Sequence, residues 1–222
     1  AEGNPFLNAN NDSILNRFKR NEFYKKAFWK TFGIKITELS TPERQKYISY
    51  ALAQFMRSMV SGDAKFDKYM RGEAALTSSE MNGFVVYMDD NRGDCYHCHG
   101  SAGNPLWTDG EFHNNALNNS FSGVDQGRFL ITGNPADMGK FRTPTLRNIA
   151  LTAPYMHDNR FATLTEVINF YSSGLQQSAT VDPLMTHINQ GGAQLSASDK
   201  ANLLAFLLTL TDSTFINNPA FY

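Results

Sequence analysis

The sequence predicts an all-α domain with long loops. Three observations carry this. Five stretches place apolar residues at helical period, most of them opened by a capping signal. Residues 100–150 are rich in Gly, Asn, Pro and Asp and show little periodicity. Between these patterns lies the run Cys95-Tyr96-His97-Cys98-His99.

Taken in order, Ile14, Leu15, Phe18, Tyr24, Phe28 and Phe32 fit one face of a first helix. Asp12 or Ser13 would open it and Gly33 would stop it. A second helix starts at Ser40-Thr41-Pro42-Glu43. Ser40 with Glu43 forms a capping box, and Thr41 with Pro42 reads as a cap with an N1 proline. Its stripe is Ile48, Ala51, Leu52, Phe55, Met56 and Met59, and Ser61-Gly62 ends it. Thr77 and Glu80 box a third helix, which carries Met81, Phe84, Val85 and Met88 towards the cysteine run. Thr163 and Glu166 box a fourth, through Val167, Ile168, Phe170 and Tyr171, closed near Gly174. The fifth spans 196–210, with Leu203, Leu204, Leu207 and Leu210 inward. No repeat or low-complexity tract interrupts the chain.

The cysteine run reads Cys-x-x-Cys-His, the attachment signature of c-type haem. Two thiols three positions apart each form a thioether to one edge of a porphyrin, and the adjacent His99 turns its imidazole to the iron as proximal ligand. A thioredoxin-like dithiol would need a βαβ surround, which the pattern lacks. A zinc site usually recruits further cysteines, and the chain has only these 2. The fold expected is therefore a c-type cytochrome, with long loops around one covalent haem. The loops over 100–150 suit it, because a haem replaces much of a core.

Composition bounds the rest. The 222 residues suit one large domain, and 41% apolar residues are enough for a core. We expect 1–222 to be a single cytochrome domain, with 1–76 a helical lead-in, 77–210 the haem-binding core and 211–222 a tail. Lys+Arg 20 against Asp+Glu 21 offers no argument for nucleic acid or a membrane surface. The apolar stretch 203–210 is too short to span a bilayer. Ala1 fits the first residue after a removed export signal, and the attachment motif implies a periplasmic location.

The stretch Phe141-Arg-Thr-Pro-Thr-Leu-Arg-Asn-Ile-Ala-Leu-Thr-Ala-Pro-Tyr-Met-His-Asp158 resembles the bacterial di-haem cytochrome c peroxidase family, which includes the MauG-like enzymes. It is similar to that family's C-terminal haem domain. Ala51-Leu-Ala-Gln-Phe55, Phe66-Asp67-Lys-Tyr69, Gly72, Leu76-Thr77 and Gly83 follow the family's order before its second haem motif, and Asp199-Lys-Ala-Asn-Leu-Leu-Ala-Phe206 fits its tail. The resemblance implies a two-haem machine. One haem, in an N-terminal domain, meets peroxide; the other, in the domain seen here, passes or stores oxidising equivalents. This chain has one haem motif, so catalytic acid residues are expected in an N-terminal peroxidatic domain, and the chain is expected to be a fragment or processed product. A separate partner polypeptide and a stand-alone one-haem relative are the alternatives. The tail residues Phe215, Ile216, Phe221 and Tyr222 would then dock on that domain, or form an ordinary ordered end.

Distal-ligand candidates by residue type are Met138, Met156, Tyr171, Met185, His113, His157 and His187. The family places this ligand on the helix after the His-Asp turn. Matching Thr163-Leu164 onward puts Tyr171 there, as in the MauG-like branch, where peroxidases proper carry Met; Met156 is the alternative. A thioether would favour ferrous iron and an electron relay; a phenolate would favour ferric and higher-valent iron. Arg142 and Arg147 are candidates for the haem propionates, or for ordinary ion pairs. In the family His157-Asp158 continues with Gly; Asn159 stands here and tolerates the left-handed turn. The resemblance also implies a calcium ion on the carbonyls of Thr152 and Pro154, with a third ligand from the absent domain. Trp107 and Tyr96 are candidates for electron transfer or packing. The activity implied is hydrogen peroxide reduction, fed by a small cytochrome or cupredoxin. The alternatives are MauG-like oxidation of a protein substrate, a mono-haem electron carrier, and an open-site haem sensor.

Overall fold

The computed structural model describes residues 11–221. Ala1 and Tyr222, named above, lie outside them. The chain divides into two compact units, 1–60 and 61–222.

In the first unit the expected single helix is two, α1 (Asn11–Arg20) and α2 (Glu22–Phe32). Asn21 makes the break. Its backbone is extended, and its side chain accepts a hydrogen bond from Phe23 N at 2.9 Å, capping α2. Asp12 and Ser13 fall inside α1 rather than ahead of it. Gly33 ends α2 in the left-handed region, as expected. α3 (Thr41–Ser58) starts on its capping box, with Ser40 N donating to Glu43 at 2.9 Å. It stops at Ser58, short of Ser61-Gly62. Leu15, Phe28, Ile36 and Ile48 form this unit's core. Of the α3 stripe only Ile48 is buried; Leu52, Phe55, Met56 and Met59 are exposed.

The second unit begins with α4 (Lys65–Met70), which periodicity cannot reveal because it is under two turns long. Asp67 caps it by accepting from Ala64 N. α5 (Ser78–Met88) starts on the Thr77–Glu80 box. α6 (Tyr96–His99) is the cysteine run itself. Two short strands, β1 (Phe112–His113) and β2 (Phe141–Arg142), pair antiparallel, with α7 (Phe129–Thr132) between them. α8 (Leu164–Ser173) starts on the Thr163–Glu166 box. Ser196 caps α9 (Ala197–Leu208) through Asp199 N, and α10 (Ser213–Ile216) follows it. The protein is thus mostly helical with little sheet.

α5 and α9 pack tightly at Gly83. A Cβ there would lie 1.9 Å from the Asn202 carbonyl oxygen. That approach brings Phe66, Tyr87, Trp107 and Phe206 into one aromatic cluster, each at most 1% exposed. Their facing rings lie 5.2–5.8 Å apart, the spacing at which edge-to-face pairs add to burial. Trp107 is therefore a core residue. Residues 61–76 belong to this unit: Phe66, Tyr69 and Leu76 all join its core.

The tail is tied down at Asp212, which is 1% exposed. Its carboxylate accepts from Ser61 Oγ, Gly62 N, Asp63 N and Phe215 N at 2.8–3.0 Å. Phe215 and Phe221 pack ring to ring at 5.3 Å.

Candidate haem site

The second unit encloses a cavity of about 530 Å³, within the roughly 300–1,000 Å³ of cofactor clefts. Cys95, Cys98 and His99 line it, as do Tyr171 and Met156. Its walls are mostly aliphatic, from Leu146, Ile149, Val167, Ile168, Leu203 and Leu207. α6 brings the motif there, and α8 brings Tyr171.

The residues fit a covalent haem. Neither cysteine is in a disulfide. Burial pushes both thiols up to about 12, whereas a redox dithiol needs a depressed pKa. His99 Nδ1 donates to the Pro144 carbonyl at 3.2 Å. That bond fixes the tautomer and leaves Nε2 as the nitrogen with a lone pair. Burial pushes the imidazole down to about 4, with the Pro144 carbonyl pulling the other way, so the ring is neutral at pH 7. In the same lining, His187 Nε2 is sealed from solvent with no hydrogen-bond partner among the described residues.

A metal ion is the competing occupant, because Cys98, Asp109 and His113 bring ligand atoms within 4.8 Å of one another. Both ring nitrogens of His113 are already taken, Nδ1 by Asp182 at 2.7 Å and Nε2 by Asp109 at 2.8 Å. Burial pushes this imidazole down, but the two carboxylates outweigh it and the net shift is upward. With both ring nitrogens committed to carboxylates, His113 has none to offer a metal.

The same geometry sorts the distal candidates. His113 is excluded by its two partners. His157 lines the cavity, but its Nε2 bonds Asp125 at 2.9 Å and its ring stacks on Phe141 at 3.8 Å. Met138 is not in the lining, and its carbonyl accepts from Thr180. Met185 and His187 line the wall. Tyr171 and Met156 are drawn together: the Asn115 amide donates to Tyr171 Oη at 3.0 Å and to Met156 Sδ at 3.6 Å. Burial pushes the Tyr171 phenol up to about 12, against the pull of the Asn115 amide. Asn115 is the site residue that sequence reading missed. A single Asn in a stretch without period gives no signal.

The two arginines part ways. Arg142 lines the cavity, and its Nε donates to the Gly110 carbonyl at 2.9 Å. Arg147 is outside the lining and takes the ion-pair role, gripping Asp67 with both terminal nitrogens. Thr152 and Pro154 border the cavity. Asn159 takes the left-handed turn with φ 61°. Tyr96 packs on His97, ring centroids 4.2 Å apart.

Residues 3–75 match the family model described as di-haem cytochrome c peroxidase. The methylamine utilization protein MauG of Methylophilus methylotrophus is 32% identical over 207 residues, covering 92% of this chain and 56% of that protein. The cytochrome-c peroxidase IdrP2 of Denitromonas iodatirespirans is 31% identical over 187 residues, covering 72% and 47%. A crystal structure of a MauG-like protein associated with microbial copper homeostasis superposes with a TM-score of 0.81 at 38% identity, covering 96% of this chain and 65% of that one. The chain spans about half the length of these two curated relatives. A Cys-x-x-Cys-His run set into a haem-sized cavity thus coincides with relatives of one kind, and the chain belongs to the di-haem cytochrome c peroxidase family, which includes the MauG-like proteins.

Proposed function

We propose that this chain is the C-terminal haem-c domain of a periplasmic peroxidase-type oxidoreductase. The observation that carries the reading is one cavity holding two attachment thiols, an imidazole of fixed tautomer and two ligand-capable groups. The overall reaction is the reduction of hydrogen peroxide. The O–O bond breaks, two electrons and two protons are consumed, and two waters leave. The electrons come from a small donor cytochrome or cupredoxin, and peroxide meets a second haem in an N-terminal domain.

Bound haem supplies reversible one-electron chemistry at its iron. The chain's own residues do the rest. His99 presents Nε2 while Pro144 holds its other nitrogen. The aliphatic walls exclude water and lower the local dielectric. Tyr171 would offer its phenolic oxygen to the haem iron, and the carbonyls of Thr152 and Pro154 would hold a calcium ion.

Tyr171 in the lining favours a second reading, the MauG-like oxidation of a protein substrate. A phenolate ligand holds the haem at low potential, which suits storing oxidising equivalents better than relaying electrons.

The test is the haem count and polypeptide mass of the native particle. Two haems, on one longer chain or on two chains, support the proposal. One haem on this polypeptide alone overturns it and leaves a mono-haem electron carrier.

A further inference from the structure

We infer that Asn115 is a positioning residue that selects the sixth ligand, holding Tyr171 Oη in preference to Met156 Sδ. The inference rests on the reading of Tyr171 as the distal ligand.

One amide reaches both candidate atoms. Asn115 Nδ2 lies 3.0 Å from Tyr171 Oη and 3.6 Å from Met156 Sδ. An amide nitrogen carries two hydrogens, so both contacts are met at once. They are unequal. A thioether is a weak acceptor, while a hydrogen bond to an oxygen bearing negative charge is roughly twice as strong as a neutral one. The amide therefore stabilises the phenolic oxygen in the state a metal would bind, and restrains the competing sulfur.

The backbone under Asn115 is built to stay put. His113, two residues earlier, is clamped by Asp109 and Asp182. Asn114 is 1% exposed. Its amide donates to Ser178 Oγ at 3.1 Å and Thr180 Oγ1 at 3.0 Å, and its Oδ1 accepts from Ala116 N at 3.0 Å. Ala116 is fully buried with φ 62°, and its carbonyl accepts from Gln176 N at 2.8 Å. A residue between two such anchors has little freedom beyond its own side chain. Ligand-orienting groups need that pre-organisation.

Met156 is held in an unusual way as well. Its φ of 72° lies in the left-handed region, which non-glycine residues other than Asn, Asp and His rarely adopt. Strain of this sort persists where the surroundings over-determine it. Here the sulfur sits against the Asn115 amide, and the side chain packs, as Tyr171 does, against the buried cluster of Ala116, Leu117, Phe170 and Leu175. The phenol and the thioether share one amide, and the phenolic oxygen takes the shorter and stronger of its two bonds.

The experiment uses the haem-loaded protein and compares Asn115→Leu, Asn115→Asp and Tyr171→Phe by optical spectroscopy and midpoint potential. Asn115→Leu keeps the volume and removes both hydrogens. Asn115→Asp is closer in shape, serves where Leu prevents folding, and sets a carboxylate against the phenolic oxygen. The expected result is a weakened or lost phenolate charge-transfer band and a raised potential in both Asn115 variants, with the band abolished in Tyr171→Phe. If Tyr171→Phe loses the band while the Asn115 variants keep the native band and potential, the selection role is overturned and the ligand stands. If Tyr171→Phe leaves the spectrum unchanged, the ligand reading fails and the inference fails with it.

Discussion

Arg147 grips Asp67 in a two-pronged ion pair, Nη1 to Oδ2 and Nη2 to Oδ1, each at 2.9 Å. The two side chains are 11% and 14% exposed. Arg147 Nε adds a bond to the Pro105 carbonyl, and Asp67 also caps α4 through Ala64 N. One guanidinium thus ties the loop after α6 and the segment before α8 to the start of the unit. The planar fork matches a carboxylate in a way lysine cannot.

Arg147→Ala would leave Asp67 a largely buried charge without its cation. Removing one partner of a buried pair costs about 3–5 kcal/mol, so a loss of roughly 2–4 kcal/mol is expected at this slightly open site. Urea unfolding of the loaded protein measures it. The haem midpoint potential should stay where it is. A shifted potential with unchanged stability would return Arg147 to the propionates.

Asp212 gives the chain an acid limb. Burial pushes its carboxyl up, but the backbone N–H groups of Asp63 and Phe215, with Ser61 and Gly62, outweigh it and hold the pKa below the usual range. The folded pKa is depressed, so the stabilisation is present above the unfolded value, about 3.9, and is lost as pH falls through the folded one. Asp212→Asn should cost about 1.5–3 kcal/mol near neutral pH, the worth of a hydrogen-bonded charge. It should also flatten the stability curve below pH 4. Urea midpoints from pH 3 to 7 check both; parallel curves for the variant and the parent would refute the assignment.

Gly83 is one place where α5 and α9 meet. A Cβ would sit 1.9 Å from the Asn202 oxygen and 2.8 Å from Phe206 Cβ. Backbone cannot step aside as a side-chain tip can. Gly83→Ala should therefore destabilise by about 3 kcal/mol or more despite alanine's better helix propensity. Thermal unfolding of the loaded protein reads the change. A neutral or stabilising result would mean that the helices separate freely.

Much of this was legible in the chain. Ser40, Thr77 and Thr163 announce helices because a capping box is local chemistry, complete within four residues. Cys95, Cys98 and His99 are legible for the same reason. Asn159 was readable as a left-handed turn residue, and φ 61° bears this out. The break at Asn21 was hidden because the apolar face of α1 continues into α2 in register. The partner of Arg147 lies 80 residues away in sequence, and no spacing rule reaches that far. Asn115 is illegible for both reasons: it sits in a stretch without period, and its partners come from positions 156 and 171.

The cavity itself makes the last prediction. A dry void costs about 24 cal/mol per Å³. The cavity is partly open, so water or local collapse relieves some of this, but the unloaded chain cannot keep its loaded packing. A Cys95→Ala, Cys98→Ala double variant, purified without haem, should retain most of its helical far-ultraviolet signal. Its near-ultraviolet signal should weaken, because Tyr87 and Tyr155 lie in the wall. It should bind a hydrophobic dye and melt over a broader, lower range than the loaded parent. α1 to α3, whose core is separate, should change least in hydrogen exchange. A variant that melts sharply at the parent's temperature would mean that the walls close without a cofactor, and that the core does not depend on one.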